Sequence, residues 1–224
     1  MKLKTFNVFV FYHLMYILLY SYLSKNNTHF LNDKLLSFPK SIRLIIEKYN
    51  LDQDKNARIL SKLLLLRGLS YLFPNENIDL QFLQTDGKPI YKNLPIHFTS
   101  SHSEDLVVVA FSRTKEIGID IEFKKDIDIE ILKDFLHLQE QKVLQKSKTT
   151  SALFYSLWTK KEALLKTSGT GINADFKTID CSKSETNFNG QNYFFKEILL
   201  DVDYSCFISS REKVIKIDCK EIVF

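Results

Sequence analysis

The run Ile117-Gly118-Ile119-Asp120-Ile121-Glu122 alternates between apolar and polar positions, a period of two that suits a β-strand and excludes a helix. Such a strand sends its isoleucines to one side, where they require a hydrophobic layer, and Asp120 and Glu122 to the other. The two carboxylates then stand roughly 7 Å apart at their Cα atoms, close enough to ligate one ion. Hard oxygen donors in so small a number suit Mg2+, which keeps several waters and completes its shell with substrate phosphates. Taken alone, the pair has a plainer reading, the wet face of an amphipathic strand.

The rest of the chain alternates strands and helices around this segment. Lys2 to Phe11 reads as an opening strand and His29 to Tyr49 as helical, with Pro39 placed to start a second helix after Phe38. Asp52 reads as an N-cap. The helix it opens runs to Phe73, with Ile59, Leu63, Leu66 and Leu69 on an apolar stripe, and Pro74 stops it. Short strands follow around Leu80 to Leu83, then a turn at Asp86-Gly87-Lys88-Pro89, then strands at Ile96 to Ser100 and Leu106 to Ser112. Ile117 to Phe123 opens the second half. Helices near Ile129 to Lys146 and Ser151 to Lys166 precede terminal strands at Tyr193 to Leu200, Tyr204 to Ser209 and Val214 to Asp218.

Two Lys residues precede a nearly continuous aromatic and aliphatic run from Phe6 to Leu23, which invites a signal peptide or a membrane anchor. No small-x-small cleavage site follows it, and Asn7, His13 and four tyrosines suit a bilayer interior poorly. A buried strand with packed aromatics is the expectation, with no membrane partner. At 45% hydrophobic and 26% charged over 224 residues, the chain can fill one large core or two small ones. Its charge of +4 and pI near 8.8 favour acidic partners or phosphorylated ligands. Basic stretches interleaved with acids argue against a nucleic-acid groove. The odd cysteines Cys181, Cys206 and Cys219 match neither a disulfide framework nor a metal knuckle, as in a cytoplasmic protein.

Few other residues offer chemistry. On the helix Phe154 to Lys166, Leu157, Trp158, Leu164 and Leu165 turn to the core, while Glu162 and Lys166 share a face and read as an i,i+4 ion pair. Gly169 reads as its C-terminal cap. Ser101-His102-Ser103 reads as a polar turn whose histidine can donate hydrogen bonds to a phosphate without any catalytic triad. Lys88 reads as a solvated turn lysine. Walker A, GxGxxG and HExxH patterns are all missing.

Taken in order, Gly87-Lys88-Pro89, Phe98-Thr99-Ser100-Ser101-His102-Ser103, Gly118-Ile119-Asp120-Ile121-Glu122 and Trp158-Thr159-Lys160-Lys161-Glu162-Ala163-Leu164-Leu165-Lys166 resemble the motif series of the Sfp-type 4'-phosphopantetheinyl transferases. Thr99 and Ser100 stand where that family commonly has Asn. The resemblance implies an α+β fold, a pseudo-dimer of two similar α/β subdomains at 1–103 and 104–224, with coenzyme A in the cleft between them. It implies Mg2+ on Asp120, Glu122 and Glu162, and Ser101 and His102 on the 3'-phosphate or its ribose with Lys88 near by. Lys166 would reach the phosphates, Lys40, Arg43 and Arg58 would supply further basic contacts, and Glu140 would be the general base. The implied activity is transfer of 4'-phosphopantetheine to a serine of an apo acyl or peptidyl carrier protein, by a monomer. A metal-dependent phosphodiesterase or nuclease is the alternative for three acids on a strand and a helix.

Overall fold

The computed structural model describes residues 16–84, 88–128, 132–171 and 176–224. The expected opening strand at Lys2 to Phe11 lies outside them, as does Gly87 of the Gly-Lys-Pro turn. The aromatic run is described from Tyr16, and Tyr16–Tyr22 is a strand, β1. Among the described residues no helix is long and apolar enough to cross a membrane.

Helices α1 (Thr28–Ser37), α2 (Lys40–Ile46) and α3 (Asp52–Leu72) follow. Asn27 caps α1 by accepting from His29 N and Phe30 N. The N-cap of α3 is Leu51, so Asp52 opens the helix from its first turn, where its charge still complements the helix dipole. The short strands β2 (Leu83–Gln84) and β3 (Ile90–Tyr91) pair with each other. Then come β4 (His97–Ser103), β5 (Leu106–Ser112) and β6 (Ile117–Phe123). Ser101-His102-Ser103 is therefore the end of a strand and not a turn: each residue pairs with β5, from Ser101 opposite Val108 to Ser103 opposite Leu106. The chain continues through α4 (Leu138–Gln145) and α5 (Thr150–Ser168), then β7 (Glu185–Phe188), β8 (Gln191–Glu197), β9 (Tyr204–Ser210) and β10 (Asp218–Glu221).

Two four-stranded sheets result, ordered β10-β1-β5-β4 and β6-β9-β8-β7. The second is antiparallel throughout, whereas β10 joins β1 in parallel. The first sheet draws strands from both sides of the expected division at residue 103, since β5 and β10 belong to it. Strand alternation gives each sheet two apolar faces. Tyr16, Leu18, Leu106, Val108 and Ala110 meet Ile117, Ile119, Ile121 and Ile208 in one core between the sheets. Ile17, Leu19, Val107, Val109 and Phe111 turn outward and pack under Ile59, Leu60, Leu64 and Leu69 of α3. Leu164 and Leu165 of α5 pack with Tyr193, Phe176 and Ile179 on the outer face of the second sheet. Each sheet thus carries one long helix on its outer side.

Both helices sit close because a glycine removes a side chain at the crossing. A Cβ on Gly68 would lie 2.2 Å from the Phe111 ring, and one on Gly118 would lie 2.0 Å from the Ala163 carbonyl oxygen. The glycine of the alternating strand is what lets α5 lie against β6.

Candidate functional site

Strand β6 buries its isoleucines and turns Asp120 and Glu122 toward α5, while β4 runs beside it. Asp120 is 3% exposed. Its Oδ1 accepts from Ser101 Oγ at 2.7 Å and from Lys166 Nζ at 2.7 Å, and Lys166 Nζ also donates to Ser101 Oγ at 2.9 Å. Lys166 therefore pairs with Asp120 across elements and not with Glu162 along its own helix. Asp120 Oδ2 is buried and has no hydrogen-bond partner among the described residues. Two residues on, Glu122 Oε2 accepts from Ser103 Oγ at 2.9 Å.

Three acids so placed repel one another. Burial, then the Asp120 charge, pushes the Glu122 carboxyl up to about 7. Burial and Asp120 likewise raise Glu162, against the pull of Lys166. No group of three or more His, Cys, Asp and Glu side chains among the described residues converges tightly enough to hold a metal by itself. The unpartnered Asp120 oxygen and the strained carboxylates do have the chemistry of a cation site whose remaining ligands come from elsewhere.

A cavity of about 510 Å3 opens beside these acids, between α3 and the end of α5. Lys62 and Leu65 line it from α3, Lys88 and Pro89 from the connecting segment, and Glu162 and Lys166 from α5. Lys88 Nζ donates to the Thr167 carbonyl at 3.0 Å, so this lysine also braces the end of α5, where Gly169 caps the helix at φ 74°. A smaller adjoining pocket of about 260 Å3 is lined by Arg58, Ser61, Lys62, Ser100, Ser101, His102 and Lys166. Arg58 stacks on the Tyr49 ring at 3.6 Å. Burial and then the Arg58 charge lower the His102 pKa, which favours the neutral imidazole.

The structure thus brings together Asp120, Glu122, Glu162, Lys166, Ser101, His102, Arg58 and Lys88. Lys40 and Arg43, on α2, line neither cavity. Glu140 lies away from both. It is fully buried in an ion pair with equally buried Lys161, Nζ to Oε2 2.7 Å. Its oxygens also accept from the backbone N–H of His137 and of Cys181, each at 2.8 Å. It closes the capping box of α4, and Lys161 donates onward to the Phe176 carbonyl at 2.6 Å. In this arrangement Glu140 fastens α4 to α5 and lines neither cavity, so the general base expected at this position has no open carboxylate here. Burial pushes its pKa up, offset in part by Lys161.

Sequence reading passed over Lys62 and Ser61, and quoted Ser100 within its motif without a role. A signal exists: Ser61-Lys62 interrupts the apolar run from Ile59 to Leu66, and Lys62 lies four residues beyond Arg58, on the same helical face. The Lys161–Glu140 pair left no such signal, because a lysine inside a Lys-Lys-Glu run looks solvated.

A buried acid with an unpartnered oxygen, next to a cleft lined by lysines, an arginine and hydroxyls, has the chemistry to receive a phosphate-bearing ligand. Comparison with known proteins points to a family. Residues 116–215 match the 4'-phosphopantetheinyl transferase superfamily. The chain is 36% identical over 139 residues to the 4'-phosphopantetheinyl transferase gsp of Aneurinibacillus migulanus, covering 60% of this chain and 57% of that one. It is 33% identical over 155 residues to psf-1 of Bacillus pumilus, 67% of this chain and 65% of the relative, and 34% identical over 148 residues to Sfp of Bacillus subtilis, 63% and 65%. The chain is thus similar to the 4'-phosphopantetheinyl transferase superfamily over residues 116–215, and to these named transferases over a longer stretch. It spans 57% to 65% of the length of these relatives.

Proposed function

We propose that this chain transfers the 4'-phosphopantetheine moiety of coenzyme A to a serine of an apo acyl or peptidyl carrier protein, releasing adenosine 3',5'-bisphosphate. It would do so as a cytoplasmic monomer, with no nucleic-acid or membrane partner. The observation that carries this reading is that Lys166, on the wall of the cavity between α3 and α5, is joined to buried Asp120 at 2.7 Å. A pyrophosphate in that cavity would meet the Lys166 ammonium. The relatives' shared name, 4'-phosphopantetheinyl transferase, supplies the substrate class.

Asp120, Glu122 and Glu162 are the residues that would hold Mg2+. They fit it because an acid with a free buried oxygen and a carboxyl raised to about 7 both gain from a cation. When bound, Mg2+ supplies Lewis-acid neutralisation of pyrophosphate charge. The chain's own residues do the rest. In a loose phosphoryl-transfer transition state, charge grows on the leaving oxygen and stays high on the equatorial oxygens, and the Lys166 ammonium, fixed by Asp120 and Ser101, meets it without rearrangement. Arg58, His102 and Ser101 hold the phosphomonoester end in the smaller pocket. Lys88 keeps the end of α5, and with it Lys166, against the cleft.

The test is to incubate the protein with coenzyme A, Mg2+ and a panel of apo acyl and peptidyl carriers, and to weigh the carriers. A phosphopantetheine adduct on a carrier is the expected result. Hydrolysis of phosphodiesters or nucleic acid with no adduct on any carrier would overturn the reading in favour of a phosphodiesterase.

A further inference from the structure

Lys62 is the cation of the cleft with no role assigned above. It is half-buried on α3 where the two cavities meet and lines both of them. Among the described residues no carboxylate compensates it: burial first, and then the Arg58 charge, bring its pKa down to about 8. A partly buried cation beside another cation costs folding free energy. Stability alone would favour a leucine here, like Leu60, Leu63 and Leu64 around it. The cost has to be recovered by something absent from the chain itself.

The linings of the two cavities say what kind of group recovers it. The larger one includes the Glu162 carboxylate. The smaller one is bounded by Arg58, Lys62, Lys166, His102, Ser61, Ser100 and Ser101, with no acid among the described residues that line it. A phosphomonoester carries nearly two negative charges at neutral pH and three acceptor oxygens, more than a bridging pyrophosphate oxygen can offer one lysine. Lys166 is already committed to Asp120, while Arg58 stacks on the Tyr49 ring and keeps a buried Nε with no hydrogen-bond partner. Lys62 and Arg58 are then the cations of this pocket with hydrogen-bonding capacity still to be engaged among the described residues.

We propose that Lys62 is a specificity-determining residue: its ammonium takes the terminal phosphomonoester of the bound cofactor in the smaller pocket, so the chain distinguishes coenzyme A from the same molecule lacking that phosphate. The proposal rests on coenzyme A being the ligand. It assigns to α3 a pair of phosphate contacts one turn apart, Arg58 and Lys62, facing Ser100 and His102 of β4.

Calorimetric titration of the full chain with coenzyme A and with 3'-dephospho-coenzyme A, in the presence of Mg2+, tests it. The wild type binds coenzyme A about tenfold or more tightly than the dephospho form, as one charge-assisted phosphate contact provides. Lys62→Met narrows that preference by weakening coenzyme A alone, and leaves the dephospho form unchanged. Lys62→Arg narrows it less. Equal weakening of both ligands by Lys62→Met, or no weakening of either, overturns the proposal. Removing an uncompensated cation leaves the melting temperature unchanged or raised, so a collapse of the fold in Lys62→Met also counts against it. If the wild type binds neither ligand, this inference and the proposed function fall together. If it binds coenzyme A but modifies no carrier, the proposed function falls while the Lys62 comparison still decides.

Discussion

Lys166 Nζ lies 2.7 Å from Asp120 Oδ1 and 2.9 Å from Ser101 Oγ, so one ammonium ties α5 to β6 of the second sheet and to β4 of the first. The contact is made at the cleft's edge, where the proposed reaction needs a fixed positive charge. Lys166→Met is expected to lower the rate of carrier modification by about 10²- to 10³-fold, the usual loss for a preorganised transition-state contact. Mass spectrometry of the carrier under saturating coenzyme A reads this directly.

Glu122 sets a pH dependence. Its carboxyl, raised from the usual 4.5 to about 7 by burial and then Asp120, holds a proton in the folded metal-free protein that the unfolded chain has already released. The folded state therefore binds more protons through that window, and the group costs stability as pH climbs across it. Glu122→Gln should raise the metal-free melting temperature at pH 8 and change little at pH 4. Added Mg2+ should stabilise the wild type more at pH 8 than at pH 6, because the cation competes with that proton. Thermal melts with and without Mg2+ at the three pH values check both.

Gly118→Ala should displace the helix that carries Glu162 and Lys166. The new methyl would sit 2.0 Å from the Ala163 carbonyl and 2.6 Å from Thr167 N, and helix backbone cannot step aside as a flexible side chain can. A stability loss of about 1–3 kcal/mol or more is expected for such overpacking, with carrier modification falling further than stability at temperatures where the variant stays folded. Urea denaturation and the carrier assay together separate the two effects.

Lys161→Met leaves Glu140 as an unpaired charge inside the protein and should cost about 3–5 kcal/mol. The double change Glu140→Met with Lys161→Met should recover much of that loss in the same urea titration. Below its melting temperature, Glu140→Gln should keep more turnover than Asp120→Ala. A Glu140→Gln protein that stays folded but is inactive would return Glu140 to the chemistry.

Much of this was readable in the residues because it depends on local pattern. The period-two run gave β6 its bounds and faces, Pro74 and Gly169 ended α3 and α5, and ordered motifs collected most of the cleft. What escaped depends on three-dimensional neighbours. Ser101-His102-Ser103 looks like a turn until β5 is laid beside it. Glu140 looks available until Lys161 and two backbone N–H groups are found enclosing it. Lys166 has an obvious partner four residues back on its helix, yet its ion pair is with Asp120, 46 positions away. Lys40 and Arg43 carry suitable charge but line neither cavity.

The pairing of β10 with β1 ties together opposite ends of the chain: the Tyr20 carbonyl accepts from Ile222 N at 2.9 Å, and Ser21 Oγ donates to the Ile222 carbonyl, 201 positions on. During synthesis the first sheet therefore lacks a border strand until β10 has followed β1 off the ribosome, some 201 positions later, and β1 meanwhile presents a bare row of backbone donors and acceptors. Closing so long a loop is entropically slow. Loss of residues 218–224 should for this reason harm yield and solubility well before it touches the cleft, which those residues do not line.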